Sequence, residues 1–149
     1  MDVTTDPFTS EEICEQATGN AGALSLVLLA YARERGESLP EVARFAGRIF
    51  APGWDTERGK GARVAARWAA LNAVSCGSTL QRLTGDSKRA STTVSGWPTD
   101  EDLAFVGLSR DEADALFEVF DPIATRLGLR YSWRRDGDAV EMTFEESDT

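Results

Sequence analysis

The chain runs to 149 residues, is 42% hydrophobic and 28% charged, carries a net charge of −9 and contains no histidine. That length supports one domain burying about two-thirds of its unfolded surface around one core, and the apolar content excludes wholesale disorder. The missing histidine removes Ser-His-Asp and Cys-His nucleophiles, histidine acid–base catalysis, imidazole zinc sites and histidine-ligated haem.

Charge is uneven along the chain. Residues 1–41 hold eight acids and two bases, residues 42–98 three acids and nine bases, and residues 99–149 fourteen acids and five bases. A basic middle between acidic ends predicts ion pairing across the fold or, more sharply, a cationic surface facing an anionic ligand. The overall sign disfavours nucleic acid. The opening MDVTTDPFTSEE lacks the basic-then-apolar order of a signal peptide, and the longest apolar run, ALSLVLLAYA over 23–32, is about half of what crosses a bilayer. No membrane association is expected, and the run reads as a buried helix. Two widely separated cysteines, Cys14 and Cys76, point to reduced thiols in a cytoplasm.

In chain order, Phe8 to Ile13 is a helix start: Thr9 and Glu12 form a capping box and Phe8 can staple onto Ile13. A break is expected near Gly19-Asn20, then a second helix from about Ala21 to Arg35 that stops at Gly36. Ser38 to Glu41 is another capping box, and the helix after it places Val42, Phe45, Ala46, Ile49 and Phe50 on one face as a core stripe. A fourth helical pattern follows Gly61, with Val64, Trp68 and Leu71 as its core stripe and Gly77 at its end. Residues 78–84 and 89–97 read as two polar strands around Gly85 to Lys88. A short helix runs from Pro98 to Gly107. A longer one begins at Ser109 with the stripe Ala113, Leu116, Phe117, Phe120, Ile123, Ala124 and Leu127, and Pro122 should kink or restart it after Asp121. Finally, residues 129–135 and 138–144 flank Asp136-Gly137 as a two-residue hairpin loop, which pairs Trp133 with Val140, Tyr131 with Met142, Leu129 with Phe144 and Ser132 with Glu141.

These elements predict a single α+β domain over 1–149, with residues 1–8 and 146–149 as disordered tails. A helical N-terminal half is followed by hairpin, helix and hairpin, which join into a four-stranded antiparallel sheet covered on one face by helices.

The motifs carry little chemistry. Gly59-Lys60-Gly61 lacks the Ser/Thr and the preceding strand of a P-loop, and Asp136-Gly137-Asp138 lacks the rest of a calcium-loop ladder. Asp100, Glu101, Asp102, Asp111 and Glu112 fall in first helical turns, where the macrodipole favours carboxylates without any metal. No cofactor is implied. What remains is NAVSCGSTL, residues 72–80. Asn72 and Cys76 extend the Trp68 stripe towards the first hairpin, so a pocket between that helix and the polar strands is expected. It would be lined by Arg67, Asn72, Cys76, Arg82, Thr92 and the indole of Trp97, with the arginines attracting an anionic organic molecule. Cys76 sits at a helix C-terminus, the wrong dipole end for an activated thiol, and reads first as a structural corner. Trp54 and Trp97, in loops, either plug the core or line a mouth. The leading reading is a small-molecule binding protein or cofactor-independent enzyme. The alternative is an interaction or regulatory subunit, using the acidic C-terminal third or a homodimer paired through the free edge of the last hairpin.

Overall fold

Helix starts appear where short polar side chains can satisfy free amides. In the computed structural model, which describes residues 7–148, Thr9, Thr99 and Ser109 each accept from the amide three residues on, and Glu12, Asp102 and Glu112 accept back from the cap amides. Ser38 caps the amide of Glu41, but the Glu41 carboxylate turns to Arg44, so the capping box expected there is only half formed. The helices are α1 (Ser10–Glu34), α2 (Leu39–Phe50), α3 (Ala62–Ser75), α4 (Asp100–Val106), α5 (Arg110–Asp114) and α6 (Phe120–Arg126). Two 3₁₀ segments, Ala51–Glu57 and Ala115–Val119, link α2 towards α3 and α5 to α6. The strands β1 (Thr79–Gly85), β2 (Arg89–Ser95), β3 (Leu129–Asp136) and β4 (Ala139–Glu146) form one antiparallel sheet in the order β1-β2-β4-β3. The α+β architecture, the helical N-terminal half and the union of the two hairpins are as the sequence predicts.

Several local expectations are overturned. The first helix does not break at Gly19-Asn20; α1 runs through, with Gln16 donating to Asn20 along the helix. Glu146 is not part of a tail but closes β4, its amide donating to Lys88; the predicted tails at 1–6 and 149 lie outside the described residues. The Ser109 helix tightens to 3₁₀ at Ala115, ahead of Pro122 and not after Asp121. A proline ring crowds the carbonyl four residues back, so the turn before it has to give.

The last hairpin is shifted by one residue. Gly137 and Asp138 form the loop, and Asp136 pairs with Ala139. Gly137 has a φ of 60°, and among the described residues only glycines take a positive φ, so the loop has the glycine-first form and Asp136 stays in the strand. Trp133 therefore faces Met142, Tyr131 faces Phe144, Leu129 faces Glu146 and Ser132 faces Thr143, while Arg134 meets Glu141 at 3.2 Å. Cross-strand partners move by two, so every side chain keeps its expected face.

Two buried clusters sit behind the sheet. In the larger, Ala62, Ala65, Ala66 and Ala69 of α3 lie against Val94, Val140, Met142 and Phe144, closed by Phe117, Phe120 and Ile123. Small side chains bring α3 close to the strands. In the smaller, Leu26 and Leu29 of α1 meet Leu103, Leu108 and Ala113. Trp54 and Trp97 both plug these clusters; Trp54 packs edge-to-face on Phe120 at 6.2 Å. No helix among the described residues is long and apolar enough to cross a membrane.

Candidate functional site

The six residues singled out from the sequence do not converge. Asn72 is exposed, and its side-chain amide donates to the Trp68 carbonyl at 2.9 Å, one turn back in its own helix. Arg67 is exposed beside it, its guanidinium 5.8 Å from the Trp68 ring. Thr92 is fully buried on the helix-covered face and donates to the Arg82 carbonyl, whereas the Arg82 side chain is exposed. The cause is a bulge in β1 between Leu80 and Arg82, which makes Leu83 and not Arg82 the partner of Thr92. One extra residue flips the alternation, so Arg82 shares the far face of the sheet with Thr93.

Cys76 and Trp97 do meet. Both close on Gly22 of α1, where an added Cβ would stand 2.6 Å from the Cys76 carbonyl oxygen and 2.9 Å from Trp97 Nε1. That contact is packing between α1 and the end of α3. The Cys76 thiol is pushed up by burial, partly offset by a hydrogen bond from Ser25, so it is less nucleophilic than a free thiol. Beside it, Ser78 Oγ is the one buried side-chain oxygen among the described residues without a partner. Asn72 thus bonds within its own helix, and Cys76 and Trp97 pack on Gly22. Two open clefts stand elsewhere, one along Glu57, Gly59, Gly61, Gly128 and Glu146, the other, of about 330 Å³, along Leu39, Pro40, Ala115, Glu118 and Trp133.

Resolved shifts in titration follow ion pairing and burial. Arg126 grips Asp55 through two hydrogen bonds and holds that carboxyl below its usual range, and the amides of Lys88 and Arg89 do the same for Asp86. Tyr131, half-buried with its hydroxyl turned inward and donating to the Phe117 carbonyl at 2.7 Å, has its phenol raised well above the ordinary value by desolvation, with Glu118 and Asp121 adding to it. Each of these groups moves away from neutrality, the opposite of what a proton-transfer site needs.

The unusual feature lies on the outer helices. Of the stripe expected as core on α2, Phe45, Ile49 and Phe50 face out, with Phe45 58% and Ile49 64% exposed, Val42 and Ala46 are half-buried, and Ala43 and Gly47 are buried. An added Cβ on Gly47 would collide with the Val119 carbonyl, so α2 lies directly on the second 3₁₀ segment. α3 shows the same tendency: Ala62, Ala65, Ala66, Ala69 and Ala70 are buried, Leu71 and Val74 are exposed, and Val64 and Trp68 are half-buried. The apolar run of α1, expected to be buried, is so only along Gly22, Leu26, Leu29 and Ala32; Leu24, at 68% exposure, Val27, Leu28 and Tyr31 face out. The one sequence signal for this was a second face of Ala and Gly on α2 and α3 at helical spacing, which competes with the larger side chains for the inside.

α1 touches both α2 and α3. Four residues join α1 to α2, the first 3₁₀ segment carries α2 towards α3, and α3 ends beside Gly22 of α1. A scan against protein-family models finds no match for the chain, and a search of curated proteins finds none either.

Proposed function

We propose that the chain is a protein-interaction module that docks a partner on the outward faces of α1, α2 and α3. The observation that carries this is the inversion of α2 and α3, which turn small residues inward and Phe45, Ile49, Leu71 and Val74 outward. Exposed large side chains scattered singly are ordinary, but stripes on α1 and on the two helices it touches are not. With roughly 180 Å² for a fully exposed large apolar residue, the side chains on these helices amount to about 900 Å², near the 800 Å² that each partner contributes to a stable interface.

This reading departs from the sheet-edge alternative. The outer edge of β3 carries Arg130 and Arg134, and β1 is bulged, both of which disfavour strand addition. Two free thiols, Cys14 and Cys76, fit a reducing setting such as the cytoplasm. The test is affinity capture with the full chain against a Phe45→Lys, Ile49→Lys variant whose fold is checked by circular dichroism. Specific partners should be lost from the variant; identical capture sinks the proposal.

A small organic ligand remains the second reading, favoured by the apolar walls of the Leu39–Trp133 cleft. Asp111, Glu112 and Glu118 line that cleft, so a cationic or neutral compound suits it better than an anion. A rise in melting temperature with such compounds, lost in Trp133→Ala, is its test.

A further inference from the structure

We infer that the partner on this surface is a second copy of the same chain, held by exchange of the α1 arms; this rests on the docking reading above. Every residue from Ser10 to Ala17 is exposed, so the first two turns of α1 stand clear of the body. The stripe by which α1 packs, Gly22, Leu26 and Leu29, continues backwards through Thr18 to Glu15 and Glu11 at the same helical spacing. Where the body ends, the packing line becomes acidic. The arm holds Glu11, Glu12 and Glu15, no base, and the exposed Ile13. Neither Glu11 nor Glu15 forms an ion pair among the described residues.

The complement is on the same molecule but on other helices. Arg63, Arg67, Leu71 and Val74 share one exposed stripe of α3, and Arg48 lies over the Phe45 ring at 5.9 Å on α2. Arg63 donates to the Gly85 carbonyl, and none of these three arginines forms an ion pair among the described residues. Arg44, Arg89 and Arg126, in contrast, are paired with carboxylates within the fold. An acidic, apolar arm and a cationic, apolar surface on one chain are self-complementary. A two-fold axis lets each arm meet the other copy's α2 and α3 and closes the assembly at two chains. The net charge of −9 and the acidic arm disfavour an anionic lipid surface as the occupant.

Sedimentation velocity of the full chain, followed with concentration, tests this. A dimer should form and weaken between about 0.05 and 0.5 M salt. Glu11→Lys with Glu15→Lys should weaken it about tenfold, as should Arg63→Glu with Arg67→Glu, and the four changes together should restore it. Phe45→Lys with Ile49→Lys should leave a folded monomer. A wild-type monomer at all concentrations, a dimer indifferent to these changes, or failure of the fourfold variant to recover overturns the proposal. Should the wild type be monomeric while capture of another protein still depends on Phe45 and Ile49, the docking reading stands and only its occupant changes. If capture is also indifferent, both fall.

Discussion

The indole of Trp97 lies against the bare backbone of Gly22, and the Cys76 carbonyl closes the same spot, so the middle of α1 is seated where a side chain has no room. This contact brings the loop after β2, the end of α3 and the long first helix together. It also gives a reason for glycine at this point of the helix, where any side chain would collide.

Gly22→Ala should therefore destabilise the protein by about 1–3 kcal/mol, overpacking outweighing the gain of up to ~1 kcal/mol in helix propensity. Gly19→Ala, three residues earlier with nothing within 4 Å of an added Cβ, should show only the gain. Urea denaturation of the pair checks both signs; equal effects refute the packing argument.

Asp114 and Arg135 form the most buried ion pair of the fold, at 2.6 and 2.7 Å, with the Asp114 side chain 6% exposed. Removing one partner strands the other charge. Asp114→Ala should cost about 3–5 kcal/mol, whereas Arg134→Ala, whose pair with Glu141 is largely exposed, should cost under ~1 kcal/mol. Thermal or chemical denaturation would separate them, and similar costs would refute the distinction.

The two cysteines should differ in reactivity. Cys14 is exposed, while burial raises the Cys76 thiol. Near neutral pH iodoacetamide should label Cys14 first, with Cys76 reacting appreciably only above the ordinary thiol range of about 8.5. Mass spectrometry of timed digests reads this directly; faster labelling of Cys76 contradicts a corner role.

Acid should loosen the fold at identifiable carboxylates. Asp55, Asp86 and Glu112 are all held below their usual values, chiefly by the Arg126 hydrogen bond, the Lys88 amide and the Ser109 amide respectively. A carboxyl with a lowered folded-state pKa contributes stability that is fully present above its unfolded value and lost as pH falls through the folded one. Melting temperature should stay level at neutral pH and fall below about pH 4. Asp55→Asn should flatten part of that fall. An unchanged acid slope in Asp55→Asn excludes the Arg126 pair as a contributor.

Much of the fold was written locally. The capping boxes at Thr9 and Ser109, the glycine after α4 and the two hairpins depend on residues within a few positions of one another, so sequence alone determines them. The candidate site was not legible in the same way. Extending the Trp68 stripe points Asn72 inward, but α3 buries its other face, and a β-bulge puts Arg82 of the polar strand on the far side of the sheet. Which face of α2 or α3 is buried depends on how closely a helix can approach a backbone it does not yet know, and Gly47 against Val119 settles it for α2. The sequence by itself determined where the capped helices begin, that two hairpins follow the helical half, and that histidine chemistry is absent. Only the tertiary structure decided which apolar side chains became core and which became surface, because close packing rewards the face that fits, not the face that is most hydrophobic.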